Sequence, residues 1–143
     1  MKFLRIALPS LVLATATPIL AADHQVQMLN QGESGLMVFE PAFIEAMPGD
    51  TVTFVATDAS HNAETIKSML PAGAETFKGP FNKDFTITVT EEGVYGVKCA
   101  PHYSMGMIAL ISVGEPTNLA EAMAVKLPNK AQERMLPMLE SLR

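Results

Sequence analysis

From His24 to about residue 113, apolar side chains alternate with polar ones in short runs closed by turn residues, and none of these runs carries a helical period. His24 to Asn30 alternates with Val26 and Met28 on one face, and Gln31-Gly32-Glu33-Ser34-Gly35 reads as a turn. Leu36 to Phe39 and Ala42 to Ala46 read as strands broken at Pro41, which has no N–H to give to a ladder. Pro48-Gly49-Asp50 is a turn, and Thr51 to Ala56 alternates again with Val52, Phe54 and Ala56 facing one way. Residues 57–79 read as irregular, with one helical turn expected near Glu64 to Leu70. Phe85 to Thr90, Val94 to Cys99 and Met107 to Val113 supply the remaining strands. Seven or eight short strands in about 90 residues predict an all-β, antiparallel two-sheet sandwich.

The tail changes period. Residues 116–143 are rich in Ala, Leu, Met, Glu and Lys at helical spacing. Asn118 with Glu121 resembles a capping box for a first helix, and Asn129 with Gln132 repeats it for a second that carries Met135, Leu136 and Leu139. Pro137 is expected to kink or end that second helix. Both helices are expected to cover one face of the sandwich.

The N-terminus has its own pattern. Lys2 and Arg5 precede a 15-residue apolar or small stretch, Ile6 to Leu20, followed by Ala21 and Ala22. A membrane span needs roughly 20 residues, so residues 1–21 read as a secretory signal peptide with cleavage at Ala21 or Ala22. Residues 22–143 are then one domain, and no other segment reads as a bilayer span. The whole chain carries a formal charge of −5, and without Lys2 and Arg5 the balance is 8 basic against 15 acidic residues, near −7. Nucleic acid is a poor partner for that sign of charge.

A single cysteine in an exported chain has no internal disulfide partner and calls for another job. Cys99 opens the run Cys99-Ala100-Pro101-His102-Tyr103-Ser104-Met105-Gly106-Met107, and His61 follows a strand-like segment 38 residues earlier. Singly, each has an ordinary explanation as a buried cysteine, an unrelated histidine or a core methionine. Jointly, Cys-x2-His-x4-Met with an upstream His on an all-β pattern is the ligand set of a blue-copper site, trigonal His₂Cys with a weak axial Met. Thiolate and thioether hold Cu(I) while imidazole suits Cu(II), so little has to move when one electron is exchanged.

With these residues in view, the chain resembles the pseudoazurins, small periplasmic cupredoxins. The resemblance lies in Met28-Leu29-Asn30, Met37-Val38-Phe39-Glu40-Pro41-Ala42-Phe43, Pro48-Gly49-Asp50, Ser60-His61-Asn62 and the run from Tyr95 to Met107. It covers essentially all of residues 22–143, helical tail included. Plastocyanins share the loop spacing but lack the tail, amicyanins have a shorter loop and azurins a longer one.

The resemblance implies a Greek-key cupredoxin β-sandwich of about eight strands with two C-terminal α-helices. It implies one type 1 copper ion, Cu(I)/Cu(II), held by His61, Cys99, His102 and Met107, with Met105 as a competing axial residue. Asn62 is expected to tie the His61 loop to the Cys99 loop, Pro101 to leave the thiolate without an N–H donor, and Met37 to lie against the exposed histidine ring. His61 is expected to be buried with its free ring nitrogen on a backbone carbonyl, and His102 to break the surface. Lys78 and Lys98 match a partner-docking lysine ring, with Lys67 or Lys83 adding to it. That ring is thin here, because Gln31, Ala59 and Pro80 stand where the family commonly has lysine. Gln27 likewise stands where the family commonly has histidine.

The function implied is a monomeric periplasmic shuttle of single electrons, not an enzyme. Its partner would be a copper nitrite reductase or another denitrification reductase. A periplasmic copper carrier is the alternative that ten methionines suggest. A Cys99–His102 thiol enzyme would leave His61 and Met107 without a purpose.

Overall fold

In a computed structural model, residues 20–143 are described. The signal-peptide expectation falls almost entirely outside them. Eight strands form two sheets: β1 Asp23–Gly32, β2 Gly35–Glu40, β3 Phe43–Ala46, β4 Thr51–Val55, β5 Glu64–Thr65, β6 Phe85–Thr88, β7 Gly93–Lys98 and β8 Ile108–Val113. One sheet has the order β2-β1-β4-β6 and the other β3-β8-β7-β5. Two helices follow, α1 Leu119–Met123 and α2 Asn129–Glu140.

The sheets are mixed rather than antiparallel. β1 runs parallel to β4, and β3 parallel to β8. Periodicity finds strands but does not orient them: β1 and β4 are separated by strands that cross to the other sheet and back, so they meet heading the same way. Between the sheets lie Val26, Met28, Phe39, Val52 and Phe54 from the first and Ile44, Tyr95, Val97, Ala109, Ile111 and Val113 from the second. β8 is buried on both faces. Ala109, Ile111 and Val113 point into the sandwich, while Ile108 and Leu110 meet Ala131, Met135 and Leu139 of α2 and Ala122 of α1. That is why its sequence is apolar at every position but the buried Ser112.

At three places the local structure departs from expectation, for identifiable reasons. Around Glu64 to Leu70 no helix forms, and the one hydrogen-bonded turn there, Met69 N–H to Ile66 O at 2.8 Å, follows a short strand. Glu64 and Thr65 pair antiparallel with Lys98 and Val97, and Ile66 N–H donates to Gly96 O at 2.8 Å. A free sheet edge offers those groups partners that an isolated helical turn, with its unfavourable nucleus, does not. Neither capping box forms. The Asn118 amide serves Val94 instead, and the residue flanking α2 is Pro128, with the Gln132 Oε1 accepting from Leu127 N–H at 3.2 Å. Pro137 does not end α2, which continues to Glu140. An interior proline costs about 3 kcal/mol, but fully burying Met135 and Leu139 on either side of it returns about 1.5–3 kcal/mol each.

Candidate metal centre

The site lies where β1, β4 and β7 end. β7 delivers Cys99 to its C-terminal tip, and the next eight residues fold back on it: Cys99 N–H donates to Met107 O at 3.0 Å, and Met107 N–H and Met105 N–H both donate to His102 O, at 3.1 and 3.0 Å. A 3-10 turn, Tyr103–Met105, closes on Gly106 in a left-handed conformation. This geometry separates the two methionines. Met107 is fully buried in the same cluster as Cys99, whereas Met105 is 42% exposed. Met107 is the axial candidate and Met105 a surface residue.

His61 hangs on the loop after β4. Its carbonyl accepts from Asn82 N–H at 3.1 Å, and Ser60 N–H donates to the Asn82 Oδ1 at 2.5 Å. The His61 ring is fully buried, and its Nε2 lies 2.9 Å from the Asn30 Oδ1. An amide oxygen can only accept, so Nε2 carries the proton and Nδ1 is left as a lone pair. The partner is thus the side chain of Asn30 and not the backbone carbonyl expected. Asn30 is itself held, its N–H donating to Asp58 Oδ2 at 2.7 Å. Burial, reinforced by the neighbouring His102, lowers the His61 pKa below the ordinary histidine value.

Three ligand atoms converge. His61 Nδ1 and His102 Nδ1 are 3.1 Å apart, and Cys99 Sγ lies 3.7 Å from the first and 3.6 Å from the second. An ion at the centre of a trigonal plane, about 2.0 Å from each nitrogen and about 2.3 Å from sulfur, sets those edges at about 3.5 to 3.8 Å. The three atoms already form such a triangle, with the nitrogens slightly close, so the donor set fits one copper ion. Cys99 is fully buried, and burial pushes its thiol above the usual cysteine pKa, against backbone N–H groups of Asn62 and His102. A buried, reluctant thiol is a poor nucleophile. The thiol-enzyme reading has no support here.

The remaining expected residues are placed as follows. Asn62 is fully buried, accepts from Ala100 N–H at 2.9 Å through Oδ1 and approaches Gly79 O and Glu64 Oε2 through Nδ2. Pro101 is exposed and His102 half-buried beside it. Met37 is half-buried, with a left-handed backbone at φ 51°. Lys78, Lys67 and Lys83 are exposed. Lys98 is engaged internally: its ammonium pairs with Glu64 at 3.4 Å and sits 4.9 Å from the centre of the Tyr103 ring. Asn30, Asp58 and Asn82 are supports that sequence reasoning did not single out. Each is a small polar residue at a strand end or loop, where the ordinary reading is a turn former.

A mixed thiolate, imidazole and thioether pole on a two-sheet sandwich defines a blue-copper protein of the cupredoxin class. Comparison with known proteins agrees. A family model described as copper binding proteins, plastocyanin/azurin family, matches residues 26–114. Pseudoazurin of Paracoccus pantotrophus is 58% identical over 125 residues, covering 87% of this chain and 86% of that one. A putative pseudoazurin of Rhizobium leguminosarum bv. viciae is 47% identical over 136 residues, covering 94% and 90%. The solved pseudoazurin of Methylobacterium extorquens AM1 superposes with a TM-score of 0.82 at 43% identity, over 85% of this chain and 99% of that one. The chain belongs to the pseudoazurin family. Its cofactor is a single type 1 copper ion, with His61, Cys99, His102 and Met107 as the ligand set, and it is an electron carrier rather than an enzyme.

Proposed function

We propose that this protein carries single electrons in the periplasm to a copper nitrite reductase or a related denitrification reductase, docking transiently as a monomer through the surface around His102. The half-burial of His102 beside fully buried His61, Cys99 and Met107 is the observation that carries this reading. Copper held there supplies reversible one-electron exchange between Cu(I) and Cu(II). The chain's own residues do the rest. Asn30 and Asn62 hold His61 and the Cys99 loop in place, so that the donor set is preorganised for both oxidation states. The exposed Pro101 has no N–H to direct at the thiolate, and with Met105 it leaves apolar surface beside His102 for a partner to dry. Lys78, Lys67 and Lys83 are exposed cations that can steer an acidic partner. Lys98, tied to Glu64, is the weaker member of the set. Full burial of His61, Cys99 and Met107 favours keeping the metal over handing it on.

The test is stopped-flow mixing of the Cu(I) protein with a copper nitrite reductase and nitrite. Bleached blue colour should return with a rate that saturates in reductase concentration. Colour that returns with ferricyanide but not with the reductase would reject the partner while leaving the electron carrier intact. Copper found on an apo acceptor after mixing would point to the carrier reading instead.

A further inference from the structure

We infer that Arg134, on helix α2, is a positioning residue for the axial ligand: its guanidinium clamps the peptide that precedes Met107 to the β2 strand beside it. Nη1 donates to Gly106 O at 2.8 Å and to Met37 O at 2.9 Å, and Nη2 donates to Leu36 O at 3.0 Å. One planar fork thus joins α2, the ligand loop and β2. Among the described residues Arg134 pairs with no carboxylate. A guanidinium spent wholly on three main-chain oxygens fixes geometry, since its rigid donors accept only one arrangement of the carbonyls.

The clamped peptides are those that need holding. Gly106 and Met37 both have left-handed backbones, at φ 88° and 51°, and for Met37 that conformation is unfavourable. Gly106 is pressed against α2. A Cβ there would lie 3.0 Å from Lys130 O and 3.1 Å from Arg134 Cδ, so the loop has no slack on the helix side. Gly106 O belongs to the peptide whose nitrogen is that of Met107. Holding that oxygen, together with the bonds of Met107 N–H to His102 O and of Cys99 N–H to Met107 O, fixes both peptides that flank the Met107 Cα and so the direction in which its side chain leaves the backbone. α2 itself is anchored by Ala131, Met135 and Leu139, all buried. The helical tail therefore sets the axial sulfur through Arg134, in addition to covering a sheet.

The inference rests on the ligand set above and is tested on the copper-loaded protein with Arg134→Lys and Arg134→Gln. Lysine keeps the charge and the stem but cannot bridge three carbonyls from one planar group; glutamine also loses the charge. The readouts are the relative intensities of the thiolate-to-copper bands and exchange of the Met107 amide in the Cu(I) form. Both substitutions should change the band ratio in the same direction and speed amide exchange at least tenfold. If Arg134→Gln does not fold, Arg134→Lys decides alone. Spectra superimposable on the parent, with only a lower Tm, would make Arg134 an ordinary structural residue and overturn the inference. A spectral change in Arg134→Gln that Arg134→Lys fully restores would assign the effect to charge and overturn the clamp equally.

Discussion

A thioether and an amide oxygen reach about the same distance from the backbone and differ in softness, which makes Met107 testable by a single exchange. Met107→Gln should keep copper and lower the reduction potential, because a harder axial oxygen favours Cu(II). Each tenfold change in relative affinity for the two oxidation states moves a one-electron potential by about 59 mV, and a fall of at least that size is expected in cyclic voltammetry. An unchanged potential would argue that Met107 is not a ligand, although the 42% exposure of Met105 leaves that residue badly placed to replace it. At this scale the sequence is legible where chemistry is carried by rare residue types at fixed spacing, as in Cys99, His102 and Met107. It is silent on Asn30 and Arg134. Their partners lie 31 and up to 98 positions away, and a lone Asn or Arg carries no local mark of such a contact.

Elements raise a different difficulty, since the right residue types can serve a purpose their spacing does not suggest. Asn118 stands three residues before Glu121 like a capping box, yet its Oδ1 accepts from Val94 N–H at 2.7 Å and its Nδ2 donates to Val94 O at 3.0 Å. β5 is only two residues long and pairs with Lys98 and Val97, so Val94 has no strand on that side. The Asn118 amide stands in for one and staples α1 to β7. Fully buried Val94 would be left with an unpaired N–H in Asn118→Ala, at a cost of about 1–3 kcal/mol. Glu121→Ala should change stability by less than about 0.5 kcal/mol. Urea unfolding of the two variants measures both. Equal losses would restore the capping reading, and an unchanged Asn118→Ala would remove the staple. The strands were easier to read because alternation, turn residues and Pro41 each report locally. Their parallel pairings and the fate of residues 64–70 depend on which edges meet in space.

At the scale of the whole molecule the sandwich has two poles with separate controls. β1 begins beside Asp50 and carries Asn30, which holds His61, near its other end, and seven residue steps at about 3.3 Å each keep Asp23 and Asn30 about 23 Å apart. At the far pole the Asp50 carboxylate accepts from His24 Nε2 at 2.9 Å, Met47 N–H at 2.9 Å and Ala22 N–H at 2.8 Å. It thereby gathers the start of β1 and the turn into β4. The bond to His24, then those to Met47 and Ala22, hold its carboxyl at about 2, below the usual range. A carboxyl whose pKa is lower folded than unfolded stabilises the fold above its unfolded value of about 3.9, and that contribution is lost as pH falls toward about 2. Asp50→Asn should therefore melt below the parent at pH 7, with a difference that holds down to about pH 4 and closes between about 4 and 2. Any effect of acid at the copper site is common to both proteins and cancels in the difference between their Tm values. A difference that persists undiminished at pH 2 would mean that Asp50 acts through the shape of its neutral side chain. A difference that closes well above pH 4 would place the titrating group elsewhere.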